Sequence, residues 1–354
     1  MNRHFVSFPV KDSEIFKDKM LSWATQFNIC CLLDNHHYKL PYHTQECLLA
    51  AGAIHTFEPG IDFFSSLTSF CNDNDDWIFG HFNYDLKNKI EDLNSNHADG
   101  IGFPEAFLFV PAIIIQLEED TVSIGVINDD AAEIFKQINE ATFINEDSAE
   151  VQFVPRINKE EYINIIEKLK EHIKRGDCYE INFCQEFYTE SASINPLFVY
   201  KNLVGISPNP FSAFYKIDDK YVLCSSPERY IKKTGNTIIS QPIKGTAQRD
   251  LADHQSDLEH KKSLVNSSKD KSENIMIVDL VRNDLSKICK EGSVEVENLY
   301  HVYTFPYVHQ MISTIKGELE SEINFSDVLQ ATFPMGSMTG APKKKVMELI
   351  EQYE

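Results

Sequence analysis

NKEEYINIIEKLKEHIKRGDCYEINFCQEF, residues 158–187, changes its period half-way along. Tyr162, Ile165, Ile166, Leu169 and Ile173 recur at the three- and four-residue spacing of one helix face. Asn158, with Glu161 three residues on, reads as a capping box at the start, and Gly176 suits the stop. From Cys178 the pattern alternates. Tyr179, Ile181, Phe183 and Phe187 fall on one side of a strand; Glu180, Asn182, Cys184 and Glu186 fall on the other. Two readings fit that polar side: a wet face of a half-buried strand, or residues lining a cavity.

The rest of the chain mixes strands and helices without a regular βαβ rhythm, which points to an α+β fold. The first half holds short apolar runs between polar turns: 30–33, 77–80, 106–110 and 122–126, with Pro111 to Ile115 also of strand length. The acidic stretch from Glu140 to Glu150 is the expected boundary. It divides 354 residues into an α+β domain at 1–150 and a second domain at 151–354.

An apolar fraction of 42% is enough for a sizeable core. The formal net charge of −21 argues against a nucleic-acid partner, which needs a basic face. No run is long enough to span a bilayer, and the N-terminus leads into no long apolar stretch. The eight cysteines form no CxxC pair. The expectation is a cytoplasmic protein with reduced thiols and no membrane partner.

Four stretches carry more polar and glycine residues than packing needs. In 224–230, CSSPERY, Pro227 fixes a turn that presents Glu228, either as a surface carboxylate or as an acid. In 241–246, QPIKGT, Lys244 follows a strand-like run, Thr237 to Ser240. In 270–285, Asp270 and Glu273 share one edge of a helix start. They either compensate the helix dipole or offer oxygen ligands to a hard cation such as magnesium. In 333–343, FPMGSMTGAPK, glycines and hydroxyls lead into a helix near Pro342, a backbone suited to an anion. It is not a phosphate-binding P-loop: Gly340 lies only four residues beyond Gly336, one short of the required spacing.

Together and in this order, these stretches resemble the chorismate-utilising enzyme family, which includes anthranilate, aminodeoxychorismate, isochorismate and salicylate synthases. GDCYEIN at 176–182, VHQM at 308–311, LLD at 32–34 and GHFNYD at 80–85 add to the resemblance, which covers nearly the whole sequence. It implies an anthranilate-synthase-like fold of two subdomains with large antiparallel sheets packed by helices. Residues 151–354 would be the chorismate-binding catalytic domain. Family members continue past the position of Glu354. The protein is therefore expected to be C-terminally truncated within that domain and inactive by itself.

The family's anthranilate synthases have alanine at the position of Lys244, whereas the members that form 4-amino-4-deoxychorismate, a precursor of 4-aminobenzoate and folate, have lysine. Isochorismate and salicylate synthases carry a general-base lysine where this sequence has Glu180; the amino-transferring members usually have glutamine. The resemblance therefore implies transfer of ammonia, supplied by a glutamine amidotransferase subunit, to chorismate. Lys244 would be the nucleophile, Glu228 the general acid and His309 its orienting partner. Thr246, Glu180, Gly336, Ser337, Thr339 and Gly340 would hold substrate, and Glu273 with Asp270 would hold Mg2+. Leu33, Asp34, Pro208 and Phe211 mark the region where some members hold tryptophan. The alternatives are an anthranilate synthase component I and a non-catalytic binding protein.

Overall fold

The structure, a computed structural model, describes residues 2–142 and 151–354, so the expected boundary at 150 lies outside the described residues. The protein forms two compact units, and each draws on separate segments. The first comprises Met1–Asn83, Ile101–Glu150 and Ala192–Pro227; the second comprises Tyr84–Gly100, Val151–Ser191 and Glu228–Glu354.

The first unit is built on an eight-stranded sheet. Its order runs His4–Pro9, Thr121–Val126, Ala106–Glu118, Cys47–Thr56, Ile29–Asp34, Phe211–Ile217, Lys220–Ser226, with Phe79–Phe82 also against Ala106–Glu118. Every pairing is antiparallel. The two apolar runs either side of Pro111 form one thirteen-residue strand. Strand alternation splits its apolar residues between two cores. Leu32, Leu49, Ile113, Ile115 and Phe214 join one, with Phe16 and Met20 of the helix Ser13–Ala24. Cys31, Leu48, Ile114 and Tyr215 join the other.

The second unit centres on the strand Val308–Glu318. Along one edge it pairs with Thr237–Gln241 and then with Ile243–Gln248; along the other it pairs with Glu295–Thr304. Ile277, Val278, Val281 and Leu285 of the helix Ser268–Ser286 pack on Ile238 and Ile315 of this sheet. The expected helix spans Lys159–Arg175; the Asn158 side chain accepts from the Glu161 N–H at 2.9 Å, and Gly176 closes it at φ 83°. Ile165 and Leu169 pack against Val346, Leu349 and Ile350 of the helix Lys343–Tyr353.

The alternating run after it does not form one strand. It breaks into Glu180–Ile181, paired with Gly340–Ala341, and Phe187–Tyr188, paired with Val154–Pro155. Each end bonds a different partner, so the apolar set cannot share one buried face. Ile181 and Phe183 pack on the core, whereas Tyr179 and Phe187 are 65% and 62% exposed.

Candidate active site

Lys244 lies where the strand Ile243–Gln248 slips register against Val308–Glu318, between Ile243 and Thr246. Gly245 makes the slip possible. Its φ is +97°, and a Cβ there would come within 2.9 Å of Asp270 Cβ. The Lys244 ammonium pairs with Glu180 and donates to Asn182 Oδ1 at 3.2 Å; the Lys244 and Glu180 side chains are only 13% and 14% exposed. Asn182 Nδ2 donates to the Ser337 carbonyl at 3.0 Å. The Ser337 hydroxyl donates to Glu228 Oε1 at 2.6 Å, and the Ile243 N–H donates to the same oxygen at 2.9 Å. One connected path thus runs from Glu180 through Lys244, Asn182 and Ser337 to Glu228. From the polar side of 178–187, Glu180 and Asn182 turn toward Lys244. Asn182 was not singled out from the sequence.

Burial pushes the Glu228 carboxyl above the usual carboxylate range, outweighing the donors Ser337 and Ile243 and the charge of Lys244. Burial also pushes Glu180 up, against the pull of Lys244 and with the help of Glu273. Glu180 Oε2 is buried without a hydrogen-bond partner. Beneath the site, Asn274 donates to the Lys244 carbonyl at 3.4 Å and accepts from the Ser313 hydroxyl at 2.6 Å.

His309 does not reach Glu228. Its Nε2 lies 3.1 Å from Asp257 Oδ1 and its Nδ1 3.1 Å from Thr304 Oγ1, so both ring nitrogens are taken. Hydrogen bonding to Arg249 is the main pull that holds the Asp257 carboxyl down to about 2. The next residue, Gln310, faces the other way. It is cross-strand partner to Thr246, two residues from Lys244, and is 8% exposed with Oε1 unpartnered. Strand alternation was the signal that could have separated these two neighbours in the sequence.

In the glycine loop, Ser337 joins this network through its hydroxyl and carbonyl, and the Thr339 carbonyl accepts from the Asn182 N–H at 3.0 Å. The Thr339 hydroxyl is spent on the Met335 carbonyl at 2.9 Å. A Cβ on Gly336 would meet Leu280 at 2.6 Å, and one on Gly340 (φ +133°) would meet the Glu180 carbonyl at 2.3 Å. These are packing glycines; Gly340 lets Glu180 and Ile181 pair alongside. The helix expected near Pro342 is Lys343–Tyr353, with Pro342 at its N-cap; the loop before it makes a single turn, Gly336–Thr339. Among the described residues, no three His, Cys, Asp or Glu side chains converge to hold a metal ion. Asp270 and Glu273 share the start of the helix Ser268–Ser286, with Glu273 3.5 Å from Lys269.

In the first unit, Asp34 is buried and lies 3.0 Å from the Lys17 ammonium. Leu33, its neighbour in the strand, faces the opposite side and is 41% exposed. Phe211 opens the adjacent strand, and the Pro208 carbonyl accepts from the Tyr38 hydroxyl at 2.9 Å.

The family described as chorismate binding enzyme matches residues 37–354. The protein belongs to that family. This chorismate-binding enzyme is 36% identical over 279 residues to aminodeoxychorismate synthase component 1 of Escherichia coli K12, covering 78% of this protein and 61% of that one. It is 39% identical over 198 residues to anthranilate synthase component 1 of Saccharolobus solfataricus, covering 56% of this protein and 47% of that one. It thus spans less than two thirds of the length of these curated relatives. Among solved structures, anthranilate synthase component I from Streptococcus pneumoniae TIGR4 superposes with a TM-score of 0.75 at 22% identity, covering 91% of this protein and 80% of that one. The menaquinone-specific isochorismate synthase of Escherichia coli gives 0.73 at 14%, covering 100% and 79%. Both likenesses speak for the fold, which is α+β with large antiparallel sheets. Among the described residues, no helix is long and apolar enough to cross a membrane.

Proposed function

We propose that this protein acts as an aminodeoxychorismate synthase component 1, converting chorismate and ammonia to 4-amino-4-deoxychorismate through a covalent adduct on Lys244. The observation that carries the reading is the path from Lys244 through Asn182 and Ser337 to the buried Glu228. It joins an amine and an acid in one network. Chorismate has two carboxylates, a hydroxyl at carbon 4 and a ring open to conjugate attack. Lys244 Nζ bonds to carbon 2, the ring double bonds shift, and the bond from carbon 4 to oxygen breaks. Glu228, whose carboxyl burial pushes toward its protonated form, gives its proton to the departing hydroxyl, which leaves as water. Ammonia then bonds to carbon 4 and the bond from carbon 2 to Nζ breaks, freeing Lys244.

Thr246, Gln310 and Ser337 border this chemistry and would hold the substrate. Asp270 and Glu273 are hard oxygen donors of the kind that suits Mg2+, which commonly rests on one or two carboxylates plus substrate. When bound, the ion would neutralise a substrate carboxylate. The proposed ammonia source is a separate glutamine amidotransferase component, and the proposed compartment is the cytoplasm. The chemistry is assigned to residues within 151–354. A tryptophan site in the first unit would draw on Leu33, Asp34, Pro208 and Phe211; an unchanged melting temperature with millimolar tryptophan removes it.

The test uses protein expressed from its complete reading frame. Mixed with chorismate and magnesium but no ammonia, it should give an adduct on Lys244, seen by intact mass and missing in Lys244→Ala. That variant should also lose most 4-amino product. Product formation by Lys244→Ala at the parent rate would make direct addition the mechanism. The similarity to an anthranilate synthase favours a second reading, formation of the 2-amino aromatic product. Product fluorescence after adding chorismate and ammonia separates the two.

A further inference from the structure

We propose that Glu180 takes the proton from the Lys244 ammonium and so creates the attacking amine. The inference rests on the covalent reading of Lys244 above and adds the step that reading leaves open, since an ammonium has no lone pair to attack with. Lys244 has two side-chain partners at its nitrogen, Glu180 and Asn182. Asn182 is an amide and can orient the nitrogen but not take its proton. Glu180 can. It is held in place by backbone pairing with Ala341, next to Gly340, where no Cβ fits.

Two features argue against a role in gripping substrate instead. A carboxylate facing a dianion repels it. Glu180 also has one oxygen committed to Lys244 and the other buried without a donor, an arrangement that costs free energy while the group is charged. Protonation removes that charge. The other ionisable groups facing the pair are Glu228, from the turn before the strand Arg229–Thr234, and Glu273, from the helix Ser268–Ser286. Of these, Glu273 favours a neutral Glu180 while no cation rests on it. Lys244 gives one proton to Glu180, leaving a neutral amine and a neutral carboxyl. The amine then bonds to carbon 2 and its nitrogen takes the positive charge, while Glu228 loses its proton to the departing hydroxyl. When carbon 4 has accepted ammonia and Nζ leaves, Glu180 returns its proton to Lys244.

The experiment measures single-turnover adduct formation by intact mass between pH 6 and 9, with chorismate and magnesium, in protein from the complete reading frame. In Glu180→Gln, which keeps the shape and a hydrogen bond to Lys244, the adduct should form on the order of 10²-fold more slowly at pH 7. Its rate should climb with pH as solvent takes over the deprotonation, and chorismate affinity should hold. In Glu180→Ala, added formate should restore the rate in proportion to its concentration, a response that loss of packing or of a substrate contact would not give. Adduct formation by Glu180→Gln at the parent rate, or no response of Glu180→Ala to formate, overturns the proposal and leaves the covalent reading standing. No adduct in the parent overturns the covalent reading itself, and this proposal with it.

Discussion

In the proposed reaction, Glu228 would combine a cost to the fold with a use as the acid. Burial favours its neutral form, while the Ser337 hydroxyl and Ile243 N–H favour its charged form. A general acid works only while protonated, so kcat/KM should fall as pH rises through the folded-state pKa of Glu228. Ser337→Ala removes a donor to the carboxylate, raises that pKa further and should move the falling limb to higher pH. A limb that stays in place would take the acid role from Glu228. Stability carries the same sign. A carboxyl with a raised pKa in the folded state supports folding below the usual carboxylate range and loses that support as pH climbs through the raised value. Glu228→Gln should therefore melt higher than the parent at pH 8 and alike at pH 4, while losing on the order of 10²–10⁴ in turnover.

At the scale of elements, the site depends on two short structures that local sequence preferences do not fix: the register slip at Gly245 and the two-residue pairing of Gly340–Ala341 with Glu180–Ile181. Gly340→Ala should cost on the order of 1–3 kcal/mol from its backbone angle alone, with a further loss from the 2.3 Å approach to the Glu180 carbonyl. Because that shift moves Glu180 off Lys244, turnover should drop together with the denaturation midpoint. Gly176→Ala is the control. Its φ is also positive, but no atom lies within 4 Å of the added Cβ, so it should lose only about 1–2 kcal/mol and keep its turnover. The glycine loop is anchored further by Lys343, which donates to the Thr332 and Pro334 carbonyls and pairs with Asp284 at 2.8 Å. Lys343→Met should cost about 3 kcal/mol, the low end for a broken buried pair because Lys287 stays beside Asp284. Lys343→Met with Asp284→Leu should cost less than the single change. Urea denaturation of the two variants measures the difference.

At the scale of the whole molecule, a protein of net charge −21 would have to admit the proposed substrate, which carries two carboxylates. Its field opposes the encounter, and salt screens that field. Raising salt from 10 to 150 mM should increase kcat/KM for chorismate severalfold; a decrease would mean that a local positive field around Lys244 governs entry. The sequence by itself determined what depends on near neighbours along the backbone: the helix Lys159–Arg175 with its cap and stop, the strand-length apolar runs, the acidic charge and the ordered motifs around Glu228, Lys244 and Glu273. Periodicity and capping act within a few residues, so they can be read there. Tertiary structure alone decided the rest. It fused the apolar runs across Pro111 and split 178–187 between two partners. It brought Glu180 and Asn182 to Lys244, and it set His309 against Asp257 and Gln310 across from Thr246. Alternation says that neighbouring residues in a strand face apart; which face is covered depends on pairing and packing between segments far apart in sequence.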